Sequence, residues 1–258
     1  MIFDTHAHYD SEAFEEDREE LLSSLKEHGI GLVMNCCASV EDLDKTVRLM
    51  EKYPFIYGAI GVHPDDADKM NTEVLDKLRR LCRHEKALAV GEIGLDYYWH
   101  KEAEEHETQK KWFRAQMELA REERLPFVIH SREAAQDTLL LMKELRAGEM
   151  YGGILHCFSY SKEMAREYLN MGLFLGIGGV LTYKNARKLR EVVEYAPIEQ
   201  LVLETDCPYL TPVPYRGKRN CSLYLPYVVR AIAEIKELSD EQVVEITERN
   251  ARRLLLKK

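Results

Sequence analysis

Short apolar runs alternate with amphipathic stretches along the whole chain. The runs fall at roughly 2–5, 31–36, 55–61, 87–92, 127–130, 153–156, 173–177 and 201–204, short enough for strands and too short for helices. The segments between them carry helical spacing. Thr138, Leu141, Met142 and Leu145 share a face, as do Val228, Ala231, Ile232 and Ile235. Trp112, Gln116 and Leu119 form one ridge, with Phe113, Met117 and Ala120 beside it. Ser239 followed by Gln242 is a capping-box start for a last helix predicted to bury Val243, Ile246 and Leu254. Every one of these stripes is read as core packing. Eight strands alternating with helices over about 250 residues predict a (β/α)8 TIM-type barrel, with its reactive end at the strand C-termini. A doubly wound open sheet is the alternative, but Gly91-Glu92-Ile93-Gly94 lacks the third glycine and the helix start of a dinucleotide fingerprint. No Pro/Gly linker, low-complexity segment or short repeat interrupts the pattern, so residues 1–258 are expected to form one domain.

Composition narrows the function without naming it. Hydrophobic residues make up 45% and charged residues 31%, an ordinary globular balance. The net charge of −9 excludes broad electrostatic attraction to nucleic acid, but not a local site in which metal ions supply the positive charge. No run approaches the roughly 18 apolar residues of a membrane span. Glu12, Glu15, Glu16 and Asp17 stand where a secretory signal would be basic and then apolar, so a cytoplasmic location is expected. No isolated apolar stripe demands a protein partner. The six cysteines contain no Cys-x-x-Cys pair and are expected to be reduced thiols. Cys157 and Cys207 each follow a candidate ligand and so face the other way along a strand.

The chemistry lies at the predicted strand ends. The first carries Asp4-Thr5-His6-Ala7-His8, and the third is followed by Gly-Val-His63-Pro64. Glu92 closes the fourth, within Gly-Glu-Ile-Gly-Leu-Asp96; His130 closes the fifth, in His-Ser-Arg132, and His156 the sixth. The eighth ends in Glu204-Thr205-Asp206-Cys-Pro208. A single histidine at a strand end is more often structural than ligating. Here four histidines and two carboxylates fall where one barrel mouth collects them. His28, His84, His100 and His106 lie beside charged residues and are read as surface. Six ligands exceed the three that one catalytic zinc uses, and they suit two divalent ions. His6, His8 and Asp206 are assigned to the first, His130 and His156 to the second, with Glu92 bridging. Such a set takes zinc, manganese or iron, and magnesium less readily.

Asp-Thr-His-x-His, Gly-Val-His-Pro, Gly-Glu-Ile-Gly-Leu-Asp, His-Ser-Arg, His-Cys-Phe and Glu-Thr-Asp-x-Pro occur in this order over essentially the whole chain. The series resembles the TatD family of metal-dependent hydrolases, within the amidohydrolase-like barrels. The resemblance implies a divalent-metal deoxyribonuclease, often a 3′ exonuclease, with His6, His8, Glu92, His130, His156 and Asp206 as ligands. The nucleic-acid substrate, a single strand or a 3′ end of DNA, comes from the resemblance alone. The chain departs from the family pattern in two places. Cys221-Ser222 follows Arg216-Gly-Lys218-Arg219-Asn220 where glutamate or histidine and then proline are usual, and Tyr9 stands where an aliphatic residue is usual.

On this reading Asp206 orients the nucleophilic water and accepts its proton. His63 and Arg132 contact the phosphate, although for Arg132 a salt bridge to a helix carboxylate is an equal alternative. Asp96 holds a ligand histidine or His63 in its tautomer, and Glu204 or Thr205 could do the same. Tyr97, Tyr98 and Trp99 are expected to pack under the barrel rim, with base stacking as the alternative. Arg216, Lys218 and Arg219 are candidates for flanking backbone phosphates, against a plain solvated loop. A rival function is amidohydrolase chemistry on a C–N or carboxylic ester bond, such as D-aminoacyl-tRNA deacylation. Glu92 stands where many such barrels place a carbamylated lysine, which favours the phosphodiester. A non-catalytic scaffold would be expected to have lost ligands.

Overall fold

The computed structural model describes residues 1–256. Eight parallel strands succeed one another in chain order: β1 (Ile2–Ala7), β2 (Ile30–Cys36), β3 (Ile56–Ala59), β4 (Ala87–Asp96), β5 (Phe127–Arg132), β6 (Gly153–Leu155), β7 (Phe174–Ile177) and β8 (Leu201–Leu203). Between them lie α1 (Arg18–Ser24), α2 (Leu43–Lys52), α3 (Thr72–Leu81), α4 (Ala103–Glu123), α5 (Ala135–Glu144), α6 (Lys162–Asn170) and α7 (Arg187–Tyr195), followed by α8 (Leu225–Lys236) and α9 (Asp240–Leu255). A parallel bridge between Ala7 and Cys207 brings β1 to the chain just beyond β8, and the sheet curls into a (β/α)8 barrel. Each predicted run overlaps one strand; β3, β6, β7 and β8 lie within their runs, while β1, β2, β4 and β5 extend beyond them. No helix among the described residues is long and apolar enough to cross a membrane.

Strands covered by helices outside and by side chains inside must be apolar on both faces, which is why the runs read as continuous rather than alternating. Phe3, Met34, Ala59, Leu88, Val128, Ile154, Phe174 and Val202, one from each strand, form an inner cluster against Ala251, Leu254 and Leu255 of α9. Burying such residues stabilises by about 1.5–3 kcal/mol each. This plug closes one end of the barrel, and the polar strand tips gather at the other. The Ser239–Gln242 capping box is present. Thr247 and Asn250 are buried on α9, whereas Ile246 is only half-buried, because Asn250 turns inward to the carbonyls of Ile198 and Leu201.

Glu92 does not close the fourth strand. β4 continues to Asp96, with Gly94 paired to His130 and Asp96 to Arg132. Gly94 permits this: at φ +147° a Cβ there would lie 1.9 Å from the His130 carbonyl oxygen. At Gly176 a Cβ would collide with the Glu204 carboxylate at 2.1 Å, so glycine makes room for a buried acid at the barrel mouth.

Candidate active site

His6 and His8 leave β1 on one face, as their spacing requires, and their Nε2 atoms converge to 3.1 Å. Glu92 lies between the groups that face it. Its Oε2 is 3.1 Å from His6 Nε2 and 3.7 Å from His8 Nε2. Its Oε1 is 2.9 Å from His130 Nδ1, 3.3 Å from His156 Nε2 and 3.7 Å from His63 Nε2. Asp206 Oδ1 completes the first side, 3.3 Å from His8 Nε2 and 3.8 Å from His6 Nε2. All six residues assigned as ligands are thus brought together. His63, assigned to the phosphate, falls within the same donor cluster. The donor atoms form three groups capable of holding a metal: His6–His8–Glu92, His6–His156–Asp206 and His63–Glu92–His130. His156 therefore stands with His6 and Asp206 as well as facing Glu92.

The outer nitrogens explain how the rings are aimed. His8 Nδ1 lies 2.8 Å from the Cys36 carbonyl, which can only accept, so Nδ1 carries the proton and Nε2 faces inward. Asp96 Oδ2, 3.1 Å from His130 Nε2, turns the other nitrogen toward Glu92. Glu204 Oε1 stands 3.3 Å from His156 Nδ1 and accepts the Cys157 N–H at 2.6 Å. Such carboxylate or carbonyl partners behind imidazoles are what metal ligands require. His6 Nδ1 and Glu204 Oε2 are buried without a hydrogen-bond partner, and His156 Nδ1 has only the 3.3 Å approach of Glu204 Oε1. Inward-facing imidazoles and carboxylates with few hydrogens to share are a donor set for a divalent cation, and the residues fit one.

Burial and charge compete at each group. Burial holds the His6 pKa down, and the nearby His156 adds to this. For His8 burial is outweighed by Asp206, then Glu92, and the value is pushed up to about 9. Asp96 and Glu92 likewise outweigh burial at His130, giving about 8, and Glu92 with Glu204 gives about 10 at His156. Burial would raise Glu92, but His156, His6 and His63 drive it well below the carboxylate range.

These groups floor a cavity of about 640 Å³ whose walls include Asp65, Trp99, Arg132, Cys157 and Tyr209. Arg132 has no carboxylate partner among the described residues; its guanidinium lies 4.0 Å from the Tyr98 ring centroid. The aromatic trio divides. Tyr97 packs as expected, stacked on His106 with its hydroxyl donating to Asp137, whereas Tyr98 and Trp99 are exposed. The basic loop is less available than its sequence suggested. Arg219 is paired with Asp17 and covers Phe14, Arg216 lies over Tyr183 and Lys218 over Tyr215; none of the three lines the cavity. Nor are His100 and His106 plain surface. His100 bridges Asp65 and Glu105, and His106 bonds the His100 carbonyl.

One network went unread in the sequence. Asp4 is fully buried and accepts four hydrogen bonds: from the hydroxyls of Thr205 and Ser222 at 2.8 and 2.7 Å, and from the N–H groups of Thr205 and His6 at 3.0 and 3.3 Å. Tyr9 Oη lies 2.7 Å from Ser222 Oγ and accepts the Ser222 N–H. The two departures from the family pattern are thus neighbours. Their only sequence signal was that both are unusual.

Comparison with known proteins places the chain in a family. Residues 3–256 match the family model described as TatD related DNase. The chain is 44% identical to the uncharacterized metal-dependent hydrolase YabD of Bacillus subtilis, over 98% of each chain. It is 31% identical to a Cronobacter sakazakii protein named 3′-5′ ssDNA/RNA exonuclease TatD, over 99% of this chain and 98% of that one. The crystal structure of YjjV, a TatD homologue from Escherichia coli K12, superposes with a TM-score of 0.92 at 28% identity, covering 100% of this chain and 98% of that one. With its barrel, its histidine–carboxylate mouth and a family match over nearly its whole length, the chain belongs to the TatD family of metal-dependent hydrolases.

Proposed function

We propose that this protein hydrolyses phosphodiester bonds of nucleic acid, most readily at a single-stranded 3′ end, using two divalent ions. The observation that carries the reading is Glu92: one carboxylate oxygen faces His6 and His8, the other faces His130, His156 and His63. His6, His8 and Asp206 would hold one ion, His130 and His156 the other, with Glu92 shared and His63 beside the second. When bound, such a pair lowers the pKa of a water and polarises a phosphoryl oxygen.

The chain's own groups supply the rest. Asp206 lines the cavity and, held toward His8, orients the attacking water and takes its proton. Asp96 and Glu204 fix the His130 and His156 rings from behind. Arg132, free of a carboxylate partner among the described residues, offers its fork to a non-bridging phosphate oxygen. The nucleic-acid substrate is supported by the name of the Cronobacter relative, an ssDNA/RNA exonuclease, and by the description of the family as DNases. In the test, 5′-labelled single-stranded DNA and RNA are incubated with chelator-stripped protein resupplied with zinc, manganese or magnesium. Shortening from the 3′ end is expected only when metal is present. Turnover of lactones or cyclic amides with no cleavage of either strand would sink the reading.

A further inference from the structure

We propose that Trp99 is a stacking subsite for an unpaired nucleobase next to the scissile phosphate, an inference that rests on the nucleic-acid reading above. Trp99 lines the cavity yet is 64% exposed, a large apolar ring kept in water at the mouth of a polar site. Its backbone is nevertheless fixed. Asp96 Oδ1 accepts the N–H groups of Tyr98 and Trp99 at 2.8 and 3.0 Å, while Asp96 Oδ2 faces His130. Gln109 clamps Asp96 in turn, bonding both its N–H and its carbonyl. One carboxylate therefore aims a candidate metal ligand and anchors the loop that presents the indole.

The surroundings suit a base. Tyr98 meets Trp99 in a T-shaped pair, with centroids 4.7 Å apart at 85°, so the two rings are not stacked in parallel, and Trp99 stays largely exposed. Arg132, over the opposite partner Tyr98, places a cation 5.6 Å from the Trp99 centroid, so a phosphate and its attached base have adjacent receivers. On the loop beyond β8, Tyr209 is 61% exposed in the same cavity, and its N–H is bound to the Asp206 carbonyl at 2.9 Å. Both exposed rings are thus anchored through the backbone to residues of the candidate centre. A base inside a duplex has its faces covered, whereas an unpaired terminal base offers one to the indole, so the subsite selects frayed or single-stranded ends.

The chain has two tryptophans, Trp99 and the half-buried Trp112, so Trp112→Phe leaves Trp99 as the only indole reporter. The metal-loaded variant is titrated with an oligo-dT strand made cleavage-resistant by phosphorothioate linkages, and with the same strand carrying abasic 3′ residues. Saturable quenching of Trp99 by the base-bearing strand is expected, with affinity about tenfold above that for the abasic strand. Trp99→Ala should bring that preference to about one, and Trp99→Phe should restore most of it. Unchanged emission at saturating strand, or a preference retained in Trp99→Ala, overturns the subsite. Cleavage of the unmodified strand by the wild type is scored separately. Quenching of Trp99 without cleavage of the unmodified strand leaves the subsite standing and removes the nuclease reading, and cleavage without binding of either modified strand to Trp99 removes the subsite alone.

Discussion

The two flanks of the candidate centre are built differently. On one, β4 and β5 stay paired beyond Glu92 as far as Asp96 and Arg132. On the other, β1 meets the β8 side through one bridge and a few backbone bonds, from the N–H groups of Thr205 and Asp206 to the His6 carbonyl and from His8 to Cys207. Where the ladder is long, backbone bonding provides the rigidity and the side chains at its end are left for the cavity: Asp96 toward His130, Arg132 toward the mouth. Where the ladder is short, side chains do the joining, and Asp4 is occupied by Thr205, Ser222 and the His6 N–H. The same type of residue, a buried aspartate at a strand near a ligand, is therefore structural at the β1–β8 seam and chemical at β4–β5.

Glu92 belongs to both flanks, and its loss should have the largest effect. Glu92→Gln keeps the volume but removes the charge that faces five imidazoles, and metal-dependent hydrolysis should fall by about 10³-fold or more. Circular dichroism and the thermal midpoint should show a folded barrel. Full activity in this variant, or in the double variant His6→Ala/His8→Ala, would remove the centre of the proposed mechanism.

The two aspartates separate the flanks. Asp4→Ala takes the acceptor from four buried donors, leaving the Thr205 N–H and hydroxyl only their longer bonds to the His6 carbonyl, and should cost about 3–5 kcal/mol, read as a fall of roughly 10 °C in thermal midpoint. Asp96→Ala should lower metal affinity by about 10–100-fold with a smaller thermal loss. If Asp96→Ala instead unfolds the protein while Asp4→Ala mainly weakens metal binding, the distinction between seam and ladder is wrong.

Protonation should follow the histidines shared between the flanks. Neighbouring carboxylates push His130 up to about 8, His8 to about 9 and His156 to about 10, so these rings are expected to be protonated at pH 7 in the metal-free protein. A metal needs neutral imidazoles, so binding must expel those protons. Affinity should therefore rise with pH from about 7, by at least tenfold per unit, and fall in acid. Calorimetry in buffers of different ionisation enthalpy should report more than one proton released per protein at pH 7; release of none would show that the histidines are already neutral.

The strands and the candidate ligand set were legible because six of the eight apolar runs lead into a residue that has no place in a barrel core, such as His6, His130 or Asp206. What stayed hidden depends on pairs far apart in sequence. Glu92 sits within β4 rather than at its end because Gly94 lets the strand lie against the His130 carbonyl. His63 joins the donor cluster only once β3 and β4 are adjacent. Neighbouring Tyr97 and Trp99 read alike, yet Asp137 and His106 hold one half-buried while the other is left 64% exposed. Arg219 looked available for phosphate until Asp17, 202 residues away, was placed beside it.

The smallest effect tests the seam most finely. Tyr9→Phe removes the hydroxyl that touches both Ser222 Oγ and the Ser222 N–H, and Ser222→Ala removes one donor to Asp4. Each should cost about 1 kcal/mol, the usual net value of a hydrogen bond, or somewhat more where a buried group is orphaned. Because the two hydroxyls bond one another, the double variant should cost less than the sum, with a coupling of about 0.5 kcal/mol or more in a double-mutant cycle. That coupling is the expected signature of two unusual residues acting as one unit. Strict additivity would mean that Tyr9 and Ser222 brace β1 independently, and that the seam is held by Asp4 and Thr205 alone.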